Sequence, residues 1–500
     1  MNRSIIRYIL GCVLTVEGLL MLTVCGAALW YGEAQGWTYL AVGGGAALLG
    51  LLLIRKKPAS TVFYLKEGCV STALSWMLMS LVGCLPLYLT GEIPGFTDAL
   101  FETVSGFTTT GASILSDVEA LSHCALFWRS LTHWIGGMGV LVFLLAVVPL
   151  NGGYHMKLMR AESPGPSVGK LVPKVRATAR ILYLIYIGMT ALELLLLLLG
   201  RMPTFEAICT SMATATGGFG LKNDSMASYS PYLQWVVAIF MLLFAVNFNA
   251  YYLLLLRRFR EAFSMEEVHC FFGIVGAAVL VIFCAILKSC NGVFDALTKT
   301  VFQVASVVSS TGYCSTDFNL WPQTARLTLV LLMFVGACAG STGGGFKVSR
   351  LVILVKSIKK EFGSYIHPKS VKKVRMDGKP IEHEVVRSTN VYFITFMLIY
   401  VASVFLVSLE GQDLGTCFTA VLATLNNIGP GLNAVGPAAN FGGLAVATYS
   451  PAMIQDAVEL MVAYLNGEEI PLTVREFNLI YKLLSYPKKT FTRSQLMDEF

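Results

Sequence analysis

Long apolar runs alternate with short polar or charged stretches along most of this 500-residue chain. A helix rising 1.5 Å per residue needs about 20 apolar residues to cross roughly 30 Å of hydrocarbon. Runs of that order lie at about 5–30, 37–54, 68–90, 125–150, 178–200, 231–256, 268–287, 324–340 (continuing to about 355) and 390–409, and each predicts a membrane span. The first opens basic and then apolar, as a signal peptide does. It runs to about Trp30 without a small-residue cleavage site, which predicts a retained span. The stretch 441–465 is a tenth possibility.

Charge gives these spans a direction. With the N-terminus on the cytoplasmic side, the loops there and the N-terminus hold twenty-six Lys and Arg, eleven of them between Lys347 and Arg387, against four (Arg201, Lys222, Lys288, Lys299) in the opposite loops. That is a strong positive-inside bias, and it orients a multi-pass membrane protein. It also accounts for the net charge of +7 as loop faces beside anionic lipid, so no nucleic-acid partner is expected.

A repeat of about a hundred residues overlies the spans. Four times, a span is followed by an amphipathic segment of about 10–14 residues, a Thr/Ser/Asn cluster and a glycine. The units read FTDALFETVSGFTTTGAS with Thr109, Thr110 and Gly111; TFEAICTSMATATGGFG with Ala215, Thr216 and Gly217; VFDALTKTVFQVASVVSSTGYCS with Ser310, Thr311 and Gly312; and LGTCFTAVLATLNNIGPG with Asn427, Ile428 and Gly429. All four lie on the side poor in Lys and Arg, and they are too short and polar to cross again. They predict re-entrant half-helices ending in loops at membrane depth, where irregular backbone survives only buried in protein or lining water. Glycine permits φ > 0 there, so carbonyls of four loops can face one axis and replace a cation's water. The negative helix C-termini point the same way, and acidic residues such as Glu92, Glu102, Asp117, Glu206, Asp224 and Asp413 populate this face.

These motifs resemble the Trk/Ktr/HKT superfamily of potassium transporters, the bacterial Trk-type membrane subunit most closely, over about residues 1–443. The residues that carry the resemblance are SGFTTTGAS at 105–113, TATGGF at 214–219, SSTGY at 309–313, NNIGPGLNAVGPAANF at 426–441 and GACAGSTGGGFKVSR at 336–350. It implies an all-α polytopic fold, four membrane-pore-membrane repeats around one pore after an extra helical pair. The corresponding segments are 1–60 (helical pair), 61–155, 156–262, 263–384 with the basic cytoplasmic loop, an incomplete 385–443, and an atypical 444–500. It implies potassium uptake across the bacterial cytoplasmic (inner) membrane with K⁺ as cargo and no bound cofactor, a homodimer, and a cytosolic nucleotide-binding regulatory ring as partner. Gly111, Gly217, Gly312 and Gly429 become the filter glycines; plant-type relatives favouring Na⁺ tend to have Ser at the first. Na⁺ transport by the same fold is the nearest alternative.

The stretch GACAGSTGGGFK superficially resembles a Walker A loop, but Phe346 separates Gly345 from Lys347 and no strand precedes it. Its physical reading is a span broken over Gly340, Ser341, Thr342, Gly343, Gly344 and Gly345, because glycine holds a helix poorly. The resemblance assigns an intramembrane gate to this place, with Lys347 at its end; close helix packing is the other reading. Arg129 snorkels or pairs with a carboxylate, His133 is a packed or interfacial residue, and Glu193 is an intramembrane carboxylate serving as helix partner, neutral core group or coupling-ion site. The twelve cysteines form no CxxC pair and read as small buried hydrophobes. No nucleophile–base pair or two-carboxylate constellation suggests an enzyme.

Beyond Gly443 the pattern fails. Pro451, Gln455, Asp456 and Glu459 interrupt the run where a closing span is expected, and 452–465 suits a surface helix better. The remaining NGEEIPLTVREFNLIYKLLSYPKKTFTRSQLMDEF resembles the start of an OmpR-type winged-helix domain without its recognition helix. A natural fusion, an assembly error and an artificial junction are all compatible with it. A membrane-tethered transcription regulator is the corresponding alternative function.

Overall fold

The structure is a computed structural model and describes residues 2–56, 65–137, 139, 175–367 and 373–444. Helices α1 (Arg3–Met21), α2 (Val24–Tyr31) and α3 (Gly36–Ile54) come first. α4 (Leu65–Gly83), α5 (Leu85–Leu89), α6 (Phe96–Phe107) and α7 (His123–Gly137) follow, then α8 (Val175–Leu199), α9 (Thr204–Thr214), α10 (Pro231–Ala245) and α11 (Phe248–Leu255). The rest are α12 (Phe259–Phe263), α13 (Glu266–Ile286), α14 (Val293–Val308), α15 (Gln323–Met333), α16 (Val348–Ile366), α17 (His383–Ser408) and α18 (Leu414–Leu425). Among the described residues the only sheet is a two-stranded hairpin, β1 (Arg375–Met376) with β2 (Lys379–Pro380).

The extra helical pair is α1–α2 against α3. Its contact is made by glycines seven apart on each helix. A Cβ built on Gly18 would lie 2.4 Å from the Gly43 carbonyl oxygen, and one on Gly50 would lie 2.6 Å from that of Gly11. With no aqueous driving force between spans, this close backbone approach supplies the attraction.

Four units follow, each a long apolar helix, a short re-entrant helix, and an extended return. The short helices α6, α9, α14 and α18 hold 12, 11, 16 and 12 residues, too few to cross. Proline or aspartate starts two of them: Pro203 stands at the N-cap of α9, and Asp413 caps α18 by accepting from the Thr416 N–H. These four pack in the middle of the molecule, while long helices carry leucines outward, as at Leu184, Leu199 and Leu398.

The first predicted span runs from Arg3 to Tyr31, with a turn at Leu22–Thr23 between α1 and α2. Another span differs from the sequence reading. The run 231–256 is not one straight helix: α10 and α11 meet at 92°. Val246 is extended there, and Asn247 starts α11 by accepting from Asn249 N–H. The run 324–355 carries the break that its glycines predict: α15, a non-helical loop that includes Gly340–Gly345, and then α16. The two breaks face each other and satisfy each other's backbone, with Cys338 N donating to Ala245 O (3.0 Å) and Phe248 N to Gly340 O (3.0 Å). A break inside a membrane persists only with such replacement partners. Of the run 125–150 only the part within α7 and Gly139 is described. The tail from 445, including most of the tenth candidate span and the winged-helix-like stretch, lies outside the described residues, as does the basic segment 157–174.

Candidate ion pathway

The four short helices end in loops of one design. In the first, Thr108 closes α6, Thr109 has φ 60°, Thr110 follows, and Gly111 has φ 74°. The third repeats this with Ser309, Ser310 (φ 58°), Thr311 and Gly312 (φ 88°), and the fourth with Asn426, Asn427 (φ 54°), Ile428 and Gly429 (φ 92°). In the second loop the cap is Ala215, and the left-handed glycine is Gly218 (φ 65°) rather than Gly217. Counting from the cap, Gly217 therefore stands where Thr110, Thr311 and Ile428 stand. Phe219 then matches Tyr313, the aromatic residue that follows Gly312.

These loops close a ring. A Cβ on Gly111 would lie 2.0 Å from Gly217 O; on Gly218, 2.1 Å from Thr311 O; on Gly312, 2.1 Å from Ile428 O; and on Gly429, 3.0 Å from Thr110 O. Each left-handed glycine thus abuts the carbonyl preceding the left-handed glycine of the next loop, and the fourth returns to the first. A side chain at any of these positions meets two obstacles, the left-handed backbone and a neighbour's oxygen.

Hydroxyls on the short helices hold the loops from behind. Ser105 Oγ donates to Ala112 O and Ser306 Oγ to Tyr313 O, both at 2.6 Å. Thr108 and Thr110 hydroxyls share a 2.8 Å hydrogen bond, and Ser309 and Thr311 repeat it. The second loop is anchored otherwise: Thr216 Oγ1 donates to His133 O (2.7 Å), and the buried His133 ring fills the space beside Gly217, 2.0 Å from where a Cβ would sit. Thr110 Oγ1 reaches Asn427 Oδ1 across loops one and four (3.2 Å).

The Gly-rich break between α15 and α16 lies against the inner ends of these loops. Backbone bonds Gly336 N to Phe346 O (2.8 Å) and Val348 N to Ala337 O (3.2 Å) close it on itself. Thr342 Oγ1 donates to Ala215 O (2.7 Å), and Gly344 N donates to Ser310 Oγ (2.5 Å). Cβ atoms on Gly343 and Gly344 would meet Ser309 O at 2.6 Å and Asn426 O at 3.0 Å. The loop therefore touches units two, three and four. Lys347 donates its Nζ to Gly343 O. Gly340 and Gly345 take positive φ, whereas Ser341 and Thr342 turn the chain between them. Glu267, buried in the first turn of α13, pins the segment: it accepts from Ala339 N (2.6 Å), Ser349 N (3.1 Å) and Asn247 Nδ2 (3.3 Å).

On the other side of the ring opens a cavity of about 220 Å³, bordered by Gly111, Gly218, Gly312 and Gly429 and walled by Ser113 and Asn440 among others. At its rim Asn223 Nδ2 donates to Asp117 Oδ1 (2.8 Å), and that hydrogen bond holds the Asp117 carboxyl below its ordinary range, so the rim keeps its negative charge. Arg129, one of whose two readings was pairing, bridges Glu102 at 2.7 Å. Glu193 is buried within α8. No cluster of metal-ligating side chains occurs among the described residues. The one-residue shift at Gly218, the pinning by Glu267 and the Asn247 break escaped the sequence reading. The Phe219–Tyr313 match was the available signal for the first; the Glu266–Glu267 pair opening an apolar run was the only one for the second.

The family described as "TrkH: Cation transport protein" matches residues 45–454. The Trk system potassium uptake protein TrkH of Escherichia coli K12 is 34% identical over 74% of this chain and 78% of its own length. That of Vibrio parahaemolyticus is 32% identical over 88% of this chain and 92% of its own length. The crystal structure of the potassium transporter TrkH from Vibrio parahaemolyticus superposes with a TM-score of 0.82 at 27% identity, covering 94% of this chain and 99% of that one.

Proposed function

This chain belongs to the TrkH family of cation transport proteins, and from that premise we propose that it takes up potassium through the ring of loop carbonyls. The observation that supports the reading is the closed succession of contacts at Gly111, Gly218, Gly312 and Gly429, which sets the carbonyl oxygens of Gly217, Thr311, Ile428 and Thr110 against the glycines of neighbouring loops. Thr109, Thr216, Ser310 and Asn427 supply the tier below. Carbonyl oxygens replace water around a cation, the negative ends of four short helices add to the field, and the acidic rim concentrates cations outside. The Gly340–Lys347 segment is the gate on this reading, since it lies directly under the ring.

The family resemblance adds a homodimer and a cytosolic nucleotide-binding ring as partners, in an inner-membrane setting consistent with the positive-inside loops. Uptake of ⁸⁶Rb⁺ and of ²²Na⁺ into proteoliposomes containing the full chain tests the function. Rubidium, standing in for potassium, should enter and sodium should not. Sodium entry equal to or above that of rubidium would replace the reading with sodium transport, and entry of neither would remove it.

A further inference from the structure

Position six before the cap residue of each short helix is buried in all four units, yet holds a different residue each time: Glu102, Cys209, Gln303 and Ala420. Only the first carries charge. Glu102 is 1% exposed, and its carboxylate makes five contacts with four donor atoms, from the limb after Gly111 and from α7. Ser113 Oγ reaches Oε1 at 2.9 Å and Oε2 at 3.2 Å, and Ile114 N reaches Oε2 at 3.2 Å. Arg129 of α7 supplies Nε at 2.9 Å and Nη2 at 2.7 Å, both to Oε1. Ser113 and Ile114 stand two and three residues after Gly111.

Arg129 continues the chain of contacts into the second unit. Its guanidinium lies 4.1 Å from the centroid of Phe219, the residue after Gly218, and its Nη1 is 3.5 Å from Gly220 O. One ion pair, 3% and 0% exposed at its two side chains, thus ties the outward limb of loop one to that of loop two. Loops three and four have neutral ties instead: Gln303 Nε2 is 3.5 Å from Ser315 Oγ, and the Thr419 hydroxyl accepts from Leu432 N at 2.9 Å. A buried, charge-assisted pair whose two N–H groups converge on one carboxylate oxygen has few good geometries, whereas neutral hydroxyl contacts tolerate several.

We infer that Glu102 and Arg129 are positioning residues for selectivity, which hold loops one and two at the separation that suits potassium and neutralise each other beside the pathway. This rests on the filter reading above. Arg129 borders the outer cavity, so its charge acts on an entering cation once Glu102 no longer cancels it. Loss of Glu102 then loosens half the ring and places an uncompensated cation at its mouth.

The test is the ratio of ⁸⁶Rb⁺ to ²²Na⁺ uptake by the full chain in proteoliposomes, with folding followed by gel filtration and thermal denaturation in detergent. Glu102→Gln and Arg129→Gln should each lower the ratio by roughly tenfold, in the range of ordinary site-to-site coupling. Glu102→Asp, which keeps the charge, should restore part of it. Ser113→Ala removes one donor, should leave folding intact and should shift the ratio the same way by a few fold. A purely structural pair would lower yield or melting temperature at constant ratio. Wild-type ratios in both Glu102→Gln and Ser113→Ala, or in Ser113→Ala alone where Glu102→Gln does not fold, would overturn the inference and leave the filter reading standing. A wild-type chain that does not prefer rubidium would overturn both.

Discussion

Replacing Gly111 by serine is expected to lower discrimination of K⁺ over Na⁺ by an order of magnitude or more. The backbone at Gly111 is left-handed (φ 74°), which costs an ordinary L-residue about 1–2 kcal/mol. The new Cβ would also fall 2.0 Å from Gly217 O, so the ring must open or that carbonyl must turn away. Each 1.4 kcal/mol lost from the preferred ion's advantage is tenfold. The same assay separates the two candidate glycines of the second loop. Gly218→Ala meets Thr311 O at 2.1 Å with φ 65°, and nothing nearby can make room. Gly217→Ala meets the His133 ring first, at 2.0 Å, so Gly217→Ala with His133→Ala should recover selectivity that Gly218→Ala with His133→Ala does not. Unchanged rubidium-to-sodium ratios in Gly111→Ser would remove the filter assignment.

Lys347→Gln should raise potassium flux through the unregulated chain by about tenfold or more. The Lys347 ammonium donates to Gly343 O, and Gly343 abuts Ser309 O at the inner end of loop three. A fixed positive charge so placed opposes a cation leaving the ring inward. Two like charges 4 Å apart repel by about 4 kcal/mol at an effective dielectric near 20. A third of that is roughly tenfold in rate. Glutamine keeps a donor for Gly343 O while removing the charge, so the loop should stay folded. Rubidium efflux from loaded proteoliposomes, without any cytosolic partner, reads the effect. Equal efflux from Lys347→Gln and wild type would mean that this loop is not an electrostatic barrier.

Much of this was legible in the chain because membrane physics writes it in long periods. Spans such as 37–54 and 268–287 are continuous apolar runs, and the helices Gly36–Ile54 and Glu266–Ile286 fill them. The four loops announce themselves by Thr/Ser/Asn clusters ending in glycine, the residue that best suits a left-handed turn after a helix. What stayed hidden depends on three-dimensional contact. Val246 and Asn247 sit in an apolar run that looks like one span; the run breaks there because the Gly340 loop supplies partners for the flanking Ala245 O and Phe248 N. Between Gly217 and Gly218 composition has no preference, and the choice is made by His133 and Thr311, 84 and 93 residues away along the chain from Gly217 and Gly218. Glu102 read as one more acidic residue of an electronegative face. Its work with Arg129 follows from α6 and α7 packing side by side, which no local pattern encodes.

Thallium anomalous scattering from crystals of the full chain grown in Tl⁺ measures the central claim most directly. The account predicts an anomalous peak on the axis enclosed by the Thr110, Gly217, Thr311 and Ile428 carbonyls, lost when Na⁺ replaces Tl⁺. A ring that stays empty while Tl⁺ occupies other sites, or four carbonyls turned away from one another, would contradict it.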